Sequence, residues 1–356
     1  MITSTSMNLR ATLPALAIMA MLAMPAAAHA AAHAESASGN YAHRADVRAF
    51  ARETAAETGM SRTAIEHALA GARYQPKIVE LMNRPLLAPP KWFEYAPQFL
   101  NPDRVAAGAA FWDANAATLA RAEAQFGVPA EIIVAIIGVE TYWGRVTGRY
   151  RALDALATLA FDYPRRAPFF RGELKQLLLL AREQRLAPTS LKGSYAGAMG
   201  LPQFMPGSYR NYAIDYDGDG HVDLWNSAAD TIGSVANFLA LHDWARGQPV
   251  LLTAAVDERS RDALLRRLDG GISERRALEA WQQEGVAVAA LPQDLSGDPV
   301  GILLLEDTAD AASLYLACNN FYVITRYNKS RLYAAAVWQL ADAVKAARQR
   351  TADAAR

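Results

Sequence analysis

Ile132-Ile133-Val134-Ala135-Ile136-Ile137-Gly138-Val139 runs straight into Glu140-Thr141-Tyr142-Trp143-Gly144, and that junction decides how the chain folds. An apolar run with no polar face reads as a helix enclosed on every side. Gly127 closes the helix before it and Pro129 opens this one, the usual asymmetry of helix ends. A carboxylate in the last turn of such a helix sits where water is scarce, and desolvation disfavours its charged form. Its pKa is expected to rise toward neutrality, which suits a general acid. The competing reading is an ordinary helix-end Glu140 paired with Arg145 or Arg149.

Working outward, residues 111–126 place Trp112, Ala116, Leu119 and Phe126 on one helical face. Residues 46–70 are helix-forming and end near Gly71, and residues 83–90, with Pro85, Pro89 and Pro90, read as an irregular connector. Helical periodicity returns at 170–181, 231–244 and 331–347. Between Pro188 and Asp223 the chain is rich in Gly and Pro, and so long a loop in a compact domain tends to be functional. Short strands are expected at 249–252, 286–291 and 300–305, and most clearly at the aromatic and β-branched Phe321-Tyr322-Val323-Ile324-Thr325. The fold class is therefore mainly α with a small α/β insertion. The expected division is a helical domain over 46–125, joined by 231–248 and 331–350, a core over 126–230, and the α/β unit over 249–330.

The 356 residues are 52% hydrophobic and 20% charged, the balance of a globular chain. The formal net charge is zero, which argues against a nucleic-acid binder, since phosphate neutralisation normally needs a basic excess. The single cysteine, Cys318, excludes an intrachain disulfide and a multi-cysteine metal site; it reads as a small buried residue. Arg10, an apolar run from Ala11 to Pro25 and Ala28-His29-Ala30 form a secretory signal over residues 1–30. The run is shorter than the ~20 residues of a membrane span. With no Cys after it to carry lipid, the expectation is a soluble periplasmic protein. His242 has no evident partner, and the charged run 257–276 reads as a solvated helix face.

Two further stretches carry chemistry. In Gly193-Ser194-Tyr195-Ala196-Gly197-Ala198-Met199-Gly200-Leu201-Pro202-Gln203-Phe204-Met205-Pro206, glycines permit close backbone approach to a ligand, and Ser194 and Gln203 offer hydrogen bonds to hydroxyl and acetamido groups. Part of the same stretch also plugs the core, through Met199, Phe204 and Met205. In Asp215-Tyr216-Asp217-Gly218-Asp219-Gly220-His221-Val222-Asp223, alternating acids with Gly at the sixth position match the start of an EF-hand calcium loop. The expected ligands are Asp215, Asp217, Asp219 and the His221 carbonyl. Position twelve is Asn226 rather than Glu, so Asp223 or Asp230 has to complete the shell.

Glu140-Thr141-Tyr142-Trp143-Gly144 and Ala196-Gly197-Ala198-Met199-Gly200-x-x-Gln203-Phe204-Met205-Pro206, joined by residues 153–166 and by Asn320-Phe321-Tyr322-Val323-Ile324-Thr325-Arg326-Tyr327-Asn328, resemble the lytic murein transglycosylase B family. The resemblance spans nearly all of the chain after the leader. It implies a lysozyme-like core over 126–230, with Glu140 as the only catalytic carboxylate. Ser194, Gln203, Tyr327 and Asn328 would lie near substrate, with Tyr95 and Phe238. It also implies a structural calcium ion and no organic cofactor. The implied partners are peptidoglycan glycan strands, then other cell-wall enzymes, with the protein a monomer. Leu201-Pro202 before Gln203 departs from the residues common at that point in the family.

Glycosidases usually flank the scissile bond with two carboxylates. The loop 193–206 holds none, so attack by the substrate's own groups, giving 1,6-anhydromuramic acid ends, is expected over hydrolysis. A lysozyme-type muramidase and a non-catalytic, calcium-stabilised peptidoglycan-binding protein are the alternatives.

Overall fold

A computed structural model describes residues 41–84, 90–268, 274–289, 291, 295 and 298–354. The expected leader and most of the proline-rich connector lie outside them. The apolar run forms the helix Ala130–Thr141, in which every residue but Glu131 is buried. It packs against the helices Pro102–Ala114, Ala116–Phe126 and Ala228–Ala240 and against the long C-terminal helix Arg331–Ala354. The last turns an apolar face made of Leu332, Val337, Leu340 and Val344 onto it. Burying a branched side chain contributes about 1.5–3 kcal/mol, so this enclosed helix is the centre of the core. Two glycines allow the closest approaches. A Cβ on Gly138 would lie 2.4 Å from the Trp143 ring, and one on Gly108 would lie 2.5 Å from Val344 and 2.8 Å from Trp143.

Three segments depart from the sequence reading. Residues 111–126 are not one helix: Asn115 leaves helical geometry at φ −122° and ψ 21°, and its side chain donates to the Phe111 carbonyl at 2.9 Å. Residues 46–70 form two helices, Ala45–Thr58 and Arg62–Ala70, separated by the left-handed Gly59 and capped by Ser61. Residues 321–325 lie in the helix Asn319–Tyr327, not in a strand. Asn320 fixes that helix by accepting from Ala245 N and donating to the Ala245 and Gln248 carbonyls. Phe321 and Ile324, three apart, then share its buried side. Tertiary packing has overridden strand propensity here.

The remaining strand expectations, at 249–252, 286–291 and 300–305, hold in substance, and a strand not expected from the sequence, Ala312–Ala317, joins them. Val286–Val288, Leu251–Val256, Ala312–Ala317 and Gly301–Glu306 pair antiparallel in that spatial order. The sheet covers a second apolar cluster around Trp281, Leu264, Val300, Ile302 and Leu316, where Cys318 is also fully buried. The charged helix Glu258–Arg267 lies beside it, capped by Asp257 and buried at Leu264. This small unit is fastened to the helical body at the start of the C-terminal helix. Arg331 donates to the Leu304 carbonyl at 2.6 Å and pairs with Glu306.

Candidate active site

Glu140 is 8% exposed and ends the buried helix one residue before its last member, Thr141. The chain then turns sharply. Tyr142 and Trp143 both adopt left-handed φ, at 53° and 52°, followed by Gly144 at 90°. Two non-glycine residues in that region cost roughly 1–2 kcal/mol each, and the surroundings hold them there. The Trp143 indole donates to the Val134 carbonyl at 3.0 Å and its ring lies over Gly138. Thr141 donates to the Leu201 carbonyl at 2.8 Å and accepts from Gly144 N. The end of the Glu140 helix is thereby joined to the glycine-rich loop.

Burial pushes the Glu140 carboxyl up to about 8, against the opposing effect of one hydrogen bond. That bond comes from Tyr333, whose hydroxyl donates to Glu140 Oε1 at 2.7 Å. Arg145 and Arg149 form no ion pair with Glu140 among the described residues; Arg145 lies over the Tyr142 ring instead. Tyr95, Tyr327 and Tyr333 gather around the carboxyl. Their hydroxyls are held above the ordinary tyrosine range first by burial and then by the Glu140 charge. Tyr327 donates to the Pro202 carbonyl at 2.6 Å, stacks 6.4 Å from Tyr333 and meets Phe238 edge-on at 4.8 Å. Thus Leu201 and Pro202 act at the site through their carbonyls.

Ser194 is buried and accepts from Ala196 N and Ala198 N, closing the loop on itself. Gln203 has φ 51°, and its amide donates to the Gly200 and Thr147 carbonyls. In this structure both side chains shape the loop. Asn328 is buried, and its Oδ1 has no hydrogen-bond partner among the described residues. His242 does have partners: its ring stacks 4.1 Å from Phe238 and its Nδ1–H donates to the Phe238 carbonyl.

Sequence reading missed Tyr333. The available signal was a lone aromatic hydroxyl on the otherwise aliphatic face of the terminal helix, since a buried tyrosine hydroxyl normally needs a partner.

In the acidic loop, Asp215, Asp217 and Asp219 bring carboxylate oxygens within 4.8 Å of one another, all exposed. Backbone N–H groups, Gly220's above all, hold the Asp215 carboxyl below its usual range. Hard carboxylate oxygens converging this closely suit a hard divalent cation. Asp223 accepts from Trp225 N and Asn226 N, while the buried Asp230 accepts from Tyr216 N and Asp223 N, both at 2.7 Å. Those two acids therefore clamp the ends of the loop and are not part of the cluster.

Residues 42–342 match the family described as the Transglycosylase SLT domain. The chain belongs to the lytic transglycosylase family. It is 40% identical over 319 residues to the membrane-bound lytic murein transglycosylase B of Escherichia coli, covering 87% of this chain and 85% of that one. The catenated lytic transglycosylase SltB1 of Pseudomonas aeruginosa superposes with a TM-score of 0.80 at 41% identity, covering 87% of this chain and 100% of that one. The E. coli lytic transglycosylase Slt35 in complex with calcium gives 0.78 at 40% identity, covering 87% and 96%. A lytic transglycosylase is a lyase that cleaves the glycan strands of peptidoglycan, and the lysozyme-like, mainly helical fold expected from the sequence is the fold of these relatives.

Proposed function

We propose that Glu140 alone supplies acid and then base at the β-1,4 bond between N-acetylmuramic acid and N-acetylglucosamine. The observation that carries this reading is a buried carboxyl with pKa about 8, tied at Oε1 to Tyr333. At neutral pH such a group holds its proton. Tyr333 occupies Oε1, which leaves Oε2 to donate to the glycosidic oxygen as the bond to C1 breaks. The acetamido oxygen of the muramoyl residue closes on C1 to give an oxazolinium ion. The ionised Glu140 then takes the proton of the 6-hydroxyl while O6 attacks C1 and releases the acetamido oxygen. Reaction within one sugar has a large proximity advantage over water. No neighbouring carboxylate acts on Glu140 among the described residues, which supports this route over one with a second acid.

Asp215, Asp217, Asp219 and the His221 carbonyl would hold a calcium ion. The ion would offset two of the three negative charges and stiffen the loop, and it takes no part in the reaction. The leader supports export to the periplasm. Ser194, Gln203, Asn328, Tyr95, Tyr327 and Phe238 form the substrate-facing set in this reading, with glycan strands as the partner of a monomer.

Replacing Glu140 with Gln tests the assignment. The amide keeps the shape without the proton, so turnover of purified sacculi should fall by at least the ~10²–10⁴ that general acid–base assistance supplies. Lysis retained within a few fold of the parent would assign the chemistry elsewhere.

A further inference from the structure

Arg104 is a half-buried guanidinium that pairs with no acid among the described residues. Arg44, Arg151, Arg210, Arg276 and Arg331 share its degree of burial, and each holds a carboxylate. Arg104 and Arg166 do not, among the described residues, and of these two Arg104 is bonded to Glu140's own helix. Its Nη1 donates to the Gly138 carbonyl at 2.6 Å. Its guanidinium lies 4.5 Å from the Tyr142 ring centroid and 5.3 Å from that of Phe99. Arg145, exposed, places a second guanidinium 4.5 Å from the same Tyr142 ring. The two positive charges are therefore no more than about 9 Å apart, twice the ring-to-charge distance. Taking a cation partly out of water without a counter-charge is unfavourable, and desolvation weakens Arg104's hold on its proton.

Offsetting the negative end of the Glu140 helix accounts for the Gly138 bond. It does not account for a second cation on the same ring. The position relative to the cleft is short-range on two sides. Tyr142 follows Glu140 by two residues, and Phe99 lies 5.1 Å from Tyr95, which feels the Glu140 charge. A chain of zero net charge offers no general attraction to an anion, so any preference has to be local.

We propose that Arg104 and Arg145, sharing the Tyr142 ring, form an anion subsite that takes a carboxylate of the peptide stem carried by the muramoyl lactyl group. The planar fork of arginine matches a carboxylate in shape and charge, and where a stem is attached the lactyl carboxyl is an amide, so the charge lies in the stem. The subsite rests on Glu140 marking the substrate cleft. It would make the enzyme prefer strands bearing free stem carboxylates at the muramoyl residue being cut.

Binding to the Glu140→Gln protein, measured by calorimetry, separates the two readings because nothing turns over. The probes are stem-bearing glycan strands and the same strands after their carboxylates have been converted to amides. With both arginines present, free-carboxylate strands should bind roughly tenfold tighter, and the preference should shrink as salt is raised. Adding Arg104→Gln, which keeps a donor for the Gly138 carbonyl, and Arg145→Gln should collapse that ratio toward one. Arg145→Gln alone, at an exposed residue, should lower it without altering the melting temperature. Equal binding of both strands with the arginines intact would overturn the subsite while leaving the cleft in place. If neither strand bound, the cleft and the subsite would be overturned together.

Discussion

Removing the Glu140 charge should stabilise the protein. The carboxyl's ordinary value of 4.5 is raised to about 8 in the fold, so the native state resists losing a proton that the unfolded chain gives up readily. The sign follows directly: the penalty is absent below pH 4.5, grows as pH rises through the unfolded value, and levels off once the folded value is passed. At pH 7 the mismatch spans roughly 2.5 pH units, and at ~1.4 kcal/mol per unit this is about 3 kcal/mol as an upper bound. The Gln amide oxygen can still accept from Tyr333, so Glu140→Gln removes the penalty and keeps the bond. Denaturant unfolding at pH 4 and pH 7.5 is the assay. The variant should exceed the parent by about 1–3 kcal/mol at pH 7.5 and match it at pH 4. A variant equal to or weaker than its parent at pH 7.5 would refute the desolvation argument.

Tyr333→Phe deletes the one hydrogen bond that lowers the Glu140 pKa. A bond to a charged group is worth about 1.5–3 kcal/mol, so the basic limb of the pH–rate profile should move up by about one to two units while kcat falls; an unmoved limb would remove Tyr333 from the mechanism. Calcium, binding only the folded loop, should raise the melting temperature by mass action, and Asp215→Ala should abolish that rise. Superposable melting curves in calcium and in chelator would dispose of the metal site.

The Glu140 helix was legible because a run apolar on every side leaves one outcome, burial, and burial sets the chemistry of the carboxylate at its end. Residues 321–325 were misread because strand propensity is local, whereas Asn320 reaches the 245–248 turn from far along the chain. The break at Asn115 was hidden because the alanines around it suit a continuous helix as well as two. At the site, the glycine-rich loop was legible as a motif, but the bonds that Ser194 and Gln203 make to their own backbone were not. Tyr333 lies 193 positions from its partner, and no periodicity reports a contact of that range. The acidic loop was readable as alternating carboxylates, yet the withdrawal of Asp230 to the backbone of Tyr216 and Asp223 appears only once the chain is folded.

The product decides the central claim most directly. Purified sacculi digested by the enzyme and resolved by mass spectrometry should yield new muramoyl ends one water lighter than hydrolysis products and not reducible by borohydride. That is the mark of a 6-hydroxyl attacking within its own sugar under a single carboxylate. New ends that carry the full mass of water and reduce with borohydride would mean that water is the nucleophile, and Glu140 acting alone would not account for the reaction.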